Sequence, residues 1–116
     1  MVVNTAVRPG PNGQNLIARD DEVMSGSIVP RYPFVMARGE GAKVWDVDGS
    51  EYIDFAAGIA VTSTGHCHPK VVAAIIEQAQ KFLHIAGTDY YYEVQVRLAE
   101  RLAEIAPFGG DPARVF

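Results

Sequence analysis

The chain has 116 residues, of which 48% are hydrophobic and 21% charged, so a disordered segment is not the default interpretation. Its formal net charge of -4 argues against nucleic-acid binding, which usually leaves a basic surface. The single cysteine, Cys67, excludes an internal disulfide, and no signal peptide or long apolar run is evident, so we expect a cytoplasmic protein that does not enter a membrane.

The first 13 residues are predicted to form a flexible arm, because prolines and glycines interrupt them and little there can pack. A short helix is expected to follow, and its apolar residues extend from Leu16 to Met24. Asn12 and Asn15 are alternative N-cap residues for this helix, since asparagine side chains accept hydrogen bonds from the free amides of a first turn.

A β-hairpin is predicted over residues 42–55. β-Branched and aromatic residues flank Asp48 and Gly49, a dipeptide that supplies the positive backbone angles of a tight hairpin turn. The hairpin also carries four carboxylates, at Asp46, Asp48, Glu51 and Asp54. We interpret them as a solvated edge rather than a catalytic pair, because side chains along a hairpin point to different faces.

Residues 69–116 are predicted to contain two amphipathic helices. Pro69 opens the first, because proline lacks the backbone N–H that the first position of a helix leaves unpaired. Apolar residues then recur every three or four positions, which is typical of a helix with one buried face. Glu77 and Lys81 are spaced for an ion pair on the opposite face.

The second helix is expected after a break at Gly87, with Thr88 or Asp89 as its N-cap. The last four residues, 113–116, are predicted to begin a strand. The apolar faces of the two helices and the hairpin exceed what so small a sheet can cover. The pattern therefore favours the interpretation that this chain is the leading, truncated piece of a larger protein.

Several short motifs follow one another in residues 44–76, namely W-D-V-D-G, Y-I-D-F, G-I-A-V and G-H-C-H-P. In this order they resemble the N-terminal part of the class III aminotransferases, which are pyridoxal-phosphate (PLP) enzymes of fold type I. Residues 84–91 are similar to the branch that contains 4-aminobutyrate aminotransferases and some amino-acid racemases. The resemblance implies the α/β fold class, represented here by an α+β portion with a β-hairpin and helices.

The resemblance also implies a domain organisation. Residues 14–68 would belong to the small domain, and residues 69–116 would lead into the large PLP-binding domain of a homodimer. The intact enzyme would transfer an amino group from an ω- or α-amino acid, such as 4-aminobutyrate, to a 2-oxo acid. Racemisation is an alternative, because both reactions begin with removal of the α-proton. A non-enzymatic interaction module left by truncation is a further alternative.

Four residues are candidates for contact with the substrate. Ile59 in G-I-A-V matches a family position that contacts the substrate, and Gly58 adjoins it; a core position is the alternative for Ile59. Tyr32 lies where the family often has an aromatic residue near the substrate. Thr88 belongs to a loop that in the family approaches the active site of the partner subunit.

No catalytic, cofactor-binding or metal-binding residue is assigned. Lys43, Lys70 and Lys81 lie outside the family's cofactor-lysine context, and we interpret them as surface lysines. The PLP lysine and the phosphate-binding motif are therefore expected elsewhere, and the chain alone is expected to be inactive. His66, Cys67 and His68 are interpreted as a turn, because a zinc site needs three or four ligands at workable spacing.

Overall fold

The computed structural model describes residues 9–28, 32–107 and 113–116. Within these ranges, three helices and one antiparallel sheet of three strands follow one another. The elements are α1 (Pro11–Val23), β1 (Met36–Glu40), β2 (Lys43–Asp46), β3 (Glu51–Ile53), α2 (Pro69–Lys81) and α3 (Glu93–Ile105). Helices with a small antiparallel sheet confirm the α+β character predicted for this part of the fold. The chain divides into two compact units, Met1–Ala74 and Ile75–Phe116.

Helix α1 begins at Pro11, inside the predicted arm, most of which lies outside the described residues. Its first turn is capped by Asp48, which accepts hydrogen bonds from the backbone amides of Asn12 and Gly13, both at 2.9 Å. A carboxylate at this end also interacts favourably with the helix dipole. The predicted caps at Asn12 or Asn15 are therefore wrong, because a residue 35 positions away supplies the cap.

The predicted hairpin is confirmed, since β2 and β3 pair antiparallel, and β1 adds a third strand on the other edge of β2. Residues 47–49 form its turn, because the Asp46 amide donates to the Ser50 carbonyl and the Gly49 amide donates to the Asp46 carbonyl. Gly49 alone of the Asp-Gly pair has a positive φ, of 83°. This pattern is the three-residue hairpin connection that ends in a left-handed glycine.

Asp46 is buried at the centre of this turn, with 7% of its surface exposed. One carboxylate oxygen accepts the amides of Asp48 and Ser50 at 3.0 and 2.7 Å. The other accepts the hydroxyl of Tyr52 at 2.7 Å. The bond from Tyr52 is the main cause that lowers the pKa of Asp46 below its ordinary value of 3.8. The interpretation of a solvated edge is wrong for Asp46 and Asp48, since both carboxylates bind backbone amides.

Tyr52→Phe is expected to weaken the hairpin at neutral pH, because it removes the hydroxyl that stabilises ionised Asp46. A carboxyl whose folded pKa is lowered adds stability above its unfolded pKa, and this stability is lost as pH falls through the folded value. Protection of the Asp48 and Ser50 amides against hydrogen exchange should fall by roughly 2- to 10-fold near pH 7. The deficit should shrink in acid, below the lowered pKa of Asp46.

The matched control is Tyr91→Phe, because the Tyr91 side chain is 100% exposed. Both substitutions keep the aromatic ring, so the edge-to-face contact of residue 52 with Phe34, with ring centroids 5.4 Å apart, is retained. An equal loss of protection in the two variants, or a deficit for Tyr52→Phe that does not depend on pH, would contradict the role given to Asp46.

Helix α2 begins at Pro69 as predicted, and its Glu77 and Lys81 form the predicted ion pair at 2.9 Å. Helix α3 begins later than expected, with Tyr92 as its N-cap residue and no side-chain cap. Thr88 and Asp89 do not cap the helix, because both lie within a separate turn, in which the amides of Asp89 and Tyr90 donate to the Ala86 carbonyl. The predicted caps of α3 are therefore wrong.

No hydrophobic side chain is buried in residues 9–28, 32–107 and 113–116. Ile75 on α2 and Leu98 on α3 are 63% and 58% exposed, although both belong to apolar stripes. The prediction that this chain cannot cover its own apolar faces is confirmed. The strand predicted at residues 113–116 is not formed, because a strand needs a partner and no described segment pairs with these residues. None of the described helices is long and apolar enough to span a bilayer.

Candidate functional site

The most unusual backbone among the described residues lies between β3 and α2, in residues 54–66, here called the 54–66 loop. Four consecutive residues in it have positive φ angles: Ala57 (47°), Gly58 (61°), Ile59 (59°) and Ala60 (66°). Left-handed backbone costs about 1–2 kcal/mol for each residue other than glycine, and it is rarer still for a β-branched residue such as Ile59. Strain of this kind persists where the surroundings impose it and concentrates at binding sites.

The left-handed turn presents Ile59 to solvent. Its side chain is 94% exposed, and those of Phe55 and Val61 are 95% and 84% exposed. Within the described residues Ile59 is not in a core, and its contact with the substrate stays a prediction. Two backbone bonds shape the turn, from the Ala60 amide to the Ala56 carbonyl at 3.1 Å and from the Thr62 amide to the Ala57 carbonyl at 2.9 Å.

Asp54 fixes the start of the loop. One of its carboxylate oxygens accepts the amides of Ala56 and Ala57 at 2.8 and 2.9 Å. The other lies 2.6 Å from Nε2 of His66. The bond with His66, followed by the bond from the Ala57 amide, lowers the pKa of Asp54 below its ordinary value. The solvated-edge interpretation is wrong for Asp54 as well, since 15% of its side chain is exposed.

His66 fixes the end of the loop against the sheet. It forms an antiparallel β-bridge with Gly41, in which the His66 amide donates to the Gly41 carbonyl at 2.8 Å and the Gly41 amide donates to the His66 carbonyl at 3.0 Å. Its ring lies against Gly39, where an added Cβ would stand 2.6 Å from His66 Cγ. The interpretation of residues 66–68 as a turn is confirmed, because Cys67 has a φ of 53° and α2 begins two residues later.

A depression of about 480 Å³ lies between β1 and the 54–66 loop. Met36 and Val44 line it with apolar surface, while Arg38 adds a positive charge. The guanidinium of Arg38 lies over the ring of Trp45, 3.5 Å from its centroid. Asp54, Gly58 and His66 line the same depression. Of the predicted substrate residues, Gly58 therefore borders the depression, whereas Ile59, its neighbour in sequence, does not line it.

Tyr32 and Thr88 do not line this depression. Tyr32 is 74% exposed and directly follows residues 29–31, which are outside the described residues. Thr88 belongs to the unit Ile75–Phe116, where its hydroxyl donates to Asp89 at 3.3 Å. Asp54 and His66, by contrast, were not among the predicted site residues. Asp54 is the D of the Y-I-D-F motif and His66 is the first H of the G-H-C-H-P motif, so both motifs pointed to these residues. Their separation of 12 positions, however, does not reveal that they are in contact.

None of the three lysines has the surroundings of a Schiff-base lysine. Lys43 pairs with Glu51 at 2.8 Å, Lys81 pairs with Glu77 at 2.9 Å, and Lys70 is exposed. Schiff-base formation requires a neutral amine, which burial favours. Glu77 has the opposite effect, because its hydrogen bond raises the pKa of Lys81. The interpretation of these residues as surface lysines agrees with their exposure, and a PLP lysine outside this chain stays a prediction.

The family model for class III aminotransferases matches residues 24–116. Acetylornithine aminotransferase from Methanopyrus kandleri is 52% identical over 77 residues, which are 66% of this chain and 20% of that protein. Alanine/serine racemase from Pyrococcus horikoshii is 44% identical over 100 residues, which are 85% of this chain and 21% of that protein. This chain spans about a fifth of the length of the curated relatives it matches.

A solved structure gives the same assignment for the fold. The ornithine aminotransferase of Toxoplasma gondii, whose active site holds PLP at partial occupancy, matches with a TM-score of 0.71 and 36% identity. The match covers 86% of this chain and 22% of that one. The match therefore assigns this chain to the fold of the corresponding part of a PLP-dependent aminotransferase.

Proposed function

Because this chain belongs to the class III aminotransferase family, we propose that it forms the N-terminal, substrate-facing part of an enzyme that moves an amino group from an amino acid to a 2-oxo acid. The exposed left-handed turn at Ile59, inside the matched region, is the observation that carries this proposal. The family depends on PLP, which supplies the electron sink for amino transfer when it is bound. The enzyme that contains this chain is called the intact protein below.

The proposed role of this chain is to shape the substrate pocket. Ile59 and Gly58 form one wall of the pocket. The apolar side chain of Ile59 narrows the space for the donor, whereas Gly58, which has no side chain, leaves space, so that the pair selects donors by their width. Tyr32 contributes an aromatic surface near the substrate. Thr88 lies at the contact between subunits of a homodimer. The lysine that binds PLP lies outside these 116 residues.

The proposed donor is an ω- or α-amino acid similar to 4-aminobutyrate. Relatives that act on ornithine and acetylornithine support an ω-amino group, because ornithine carries its second amino group at the end of its side chain. Residues 84–91 support 4-aminobutyrate through their resemblance to that branch. Initial rates of the intact protein with 4-aminobutyrate, 5-aminovalerate, ornithine and alanine, each with 2-oxoglutarate, distinguish these donors.

Racemisation is the second candidate function, and the racemase that matches 85% of this chain favours it. The two reactions differ in their need for an oxo-acid acceptor. We expect the intact protein to convert an amino donor to its oxo product only when 2-oxoglutarate is present, with a kcat/KM on the order of 10⁴ M⁻¹ s⁻¹ or above.

The control is one enantiomer of alanine or serine without an oxo acid. Loss of optical rotation with no oxo product would overturn the aminotransferase proposal in favour of the racemase. The absence of both reactions in a PLP-loaded intact protein would overturn both enzymatic candidates and leave the interaction module.

A further inference from the structure

The left-handed turn at residues 57–60 requires an external restraint. Three of its four residues are not glycine, so the relaxed chain would leave this conformation. The loop contains no strand or helix. Ile59 is 94% exposed, so burial of its side chain within this chain does not offset the strain of the turn. The groups that hold the ends of the loop therefore determine whether Ile59 keeps its position.

Both ends of the loop meet at a single side-chain contact. Asp54 binds the amides of Ala56 and Ala57 with one carboxylate oxygen, which fixes the residues where the turn begins. Its second oxygen lies 2.6 Å from His66, which stands at the end of the loop 12 positions later. Because a carboxylate with two oxygens serves both contacts, any movement of His66 is transmitted to the first amides of the turn.

His66 is itself held by the sheet. The bridge between His66 and Gly41 joins the end of the loop to the connection between β1 and β2. Gly39 on β1 leaves room for the ring, since an added Cβ would come within 2.6 Å of it. The lowered pKa of Asp54 keeps its carboxylate ionised and able to accept all three bonds. The sheet, His66, Asp54 and the turn thus form one continuous series of contacts.

We propose that Asp54 and His66 are positioning residues that hold the strained turn at Ile59 in its substrate-facing conformation and thereby determine which amino donors the enzyme accepts. The last part of this inference, that the conformation of the turn determines which donors are accepted, rests on the proposed function. The step from the Asp54–His66 pair to the turn concerns the fold alone and is measured separately.

The experiment compares His66→Ala, His66→Gln and Asp54→Asn in the intact protein. Hydrogen exchange measured on the peptide that covers residues 55–62 reports opening of the turn without any activity assay. We expect exchange to accelerate about 10-fold or more in His66→Ala. It should be largely restored in His66→Gln, because the glutamine amide can donate to Asp54 in place of the ring. Asp54→Asn, which keeps the side-chain shape and loses the charge, should lie between them.

The second readout is donor selectivity. A merely structural defect lowers kcat/KM for all donors alike, whereas a displaced wall changes the ratio between 4-aminobutyrate and 5-aminovalerate. We expect His66→Ala to change this ratio about 10-fold and His66→Gln to recover most of it. Lys43→Ala is the control, because it breaks the exposed Lys43–Glu51 ion pair of the same hairpin and should alter neither exchange nor the ratio.

Each result has one interpretation. Unchanged exchange in folded His66→Ala overturns the proposal, and so does accelerated exchange with an unchanged donor ratio. If the intact protein transfers no amino group from any donor, the proposed function fails, and the donor step of this inference fails with it. Accelerated exchange in His66→Ala would then still establish the restraint on the turn.

Discussion

Ile59→Ala in the intact protein is expected to change the ratio of kcat/KM between a longer and a shorter donor by roughly 10- to 200-fold. The substitution removes most of a side chain that is 94% exposed and that, in the proposed site, limits the width available to the donor. Differences of one methylene in an apolar pocket have effects of this size on selectivity. Initial rates with 4-aminobutyrate and 5-aminovalerate, which differ by one methylene, each at several concentrations, measure the ratio.

Val61→Ala is the matched control for Ile59→Ala. Val61 is 84% exposed in the same loop and is not one of the residues with positive φ. Its truncation should leave the donor ratio within about 2-fold of the original, because surface changes away from a site have small effects. Equal changes of the donor ratio in the two variants would contradict a specific role for Ile59. They would indicate that shortening either side chain of the loop has the same effect on the ratio.

The 116-residue chain by itself is expected to transfer no amino group, to racemise no amino acid and to retain no PLP. All three of its lysines are exposed, Lys43 and Lys81 lie in ion pairs, and the bond with Glu77 raises the pKa of Lys81. A protonated amine does not attack the PLP aldehyde, so no stable bond to the cofactor is expected. The measurement is visible absorbance after PLP is added and the excess is removed, together with assays for both reactions.

The intact protein serves as the control for these assays, since it should retain PLP and turn over a donor under identical conditions. The isolated chain is also expected to unfold without a sharp thermal transition, because no described hydrophobic residue is buried. Turnover of any amino acid by the chain alone, or a cooperative transition of a monomer, would contradict the interpretation that these elements depend on the remainder of an enzyme.

Local signals predicted several elements of this fold correctly. Proline at the first helical position identified the start of α2, and the Asp-Gly pair identified the hairpin between β2 and β3. The ion pair of Glu77 and Lys81 followed from their spacing alone. In each case the physical cause lies within a few residues of its effect, so that the sequence displays both together.

Contacts between distant residues were not predicted. Asp48 caps a helix 35 positions away, and a carboxylate in a hairpin turn gives no sign of such a partner. The Asp54–His66 contact likewise spans 12 positions and exists because the bridge between His66 and Gly41 brings the chain back to the sheet. Polar residues that look solvated in a local pattern can therefore be the ones that fix a loop.

The candidate site shows the same difference between local features, which the sequence predicts, and long-range contacts, which it does not. The G-I-A-V motif identified Ile59, whereas the general tendency of isoleucine to be buried suggested a core residue. The left-handed turn exposes the side chain within this chain, and the substrate role of Ile59 stays a prediction for the intact protein. A run of small residues around Gly58 was visible in the sequence, but the strain that the turn carries was not, since it depends on Asp54 and the fixed end of the loop.

The central claim is that this chain supplies the substrate wall of an aminotransferase, while another part of the protein binds PLP. Borohydride reduction of the PLP-loaded intact protein, followed by peptide mass mapping, tests it most directly. We predict one modified lysine, located outside these 116 residues, and unmodified Lys43, Lys70 and Lys81. Modification of any of these three residues, at a stoichiometry that accounts for the bound cofactor, would contradict the claim.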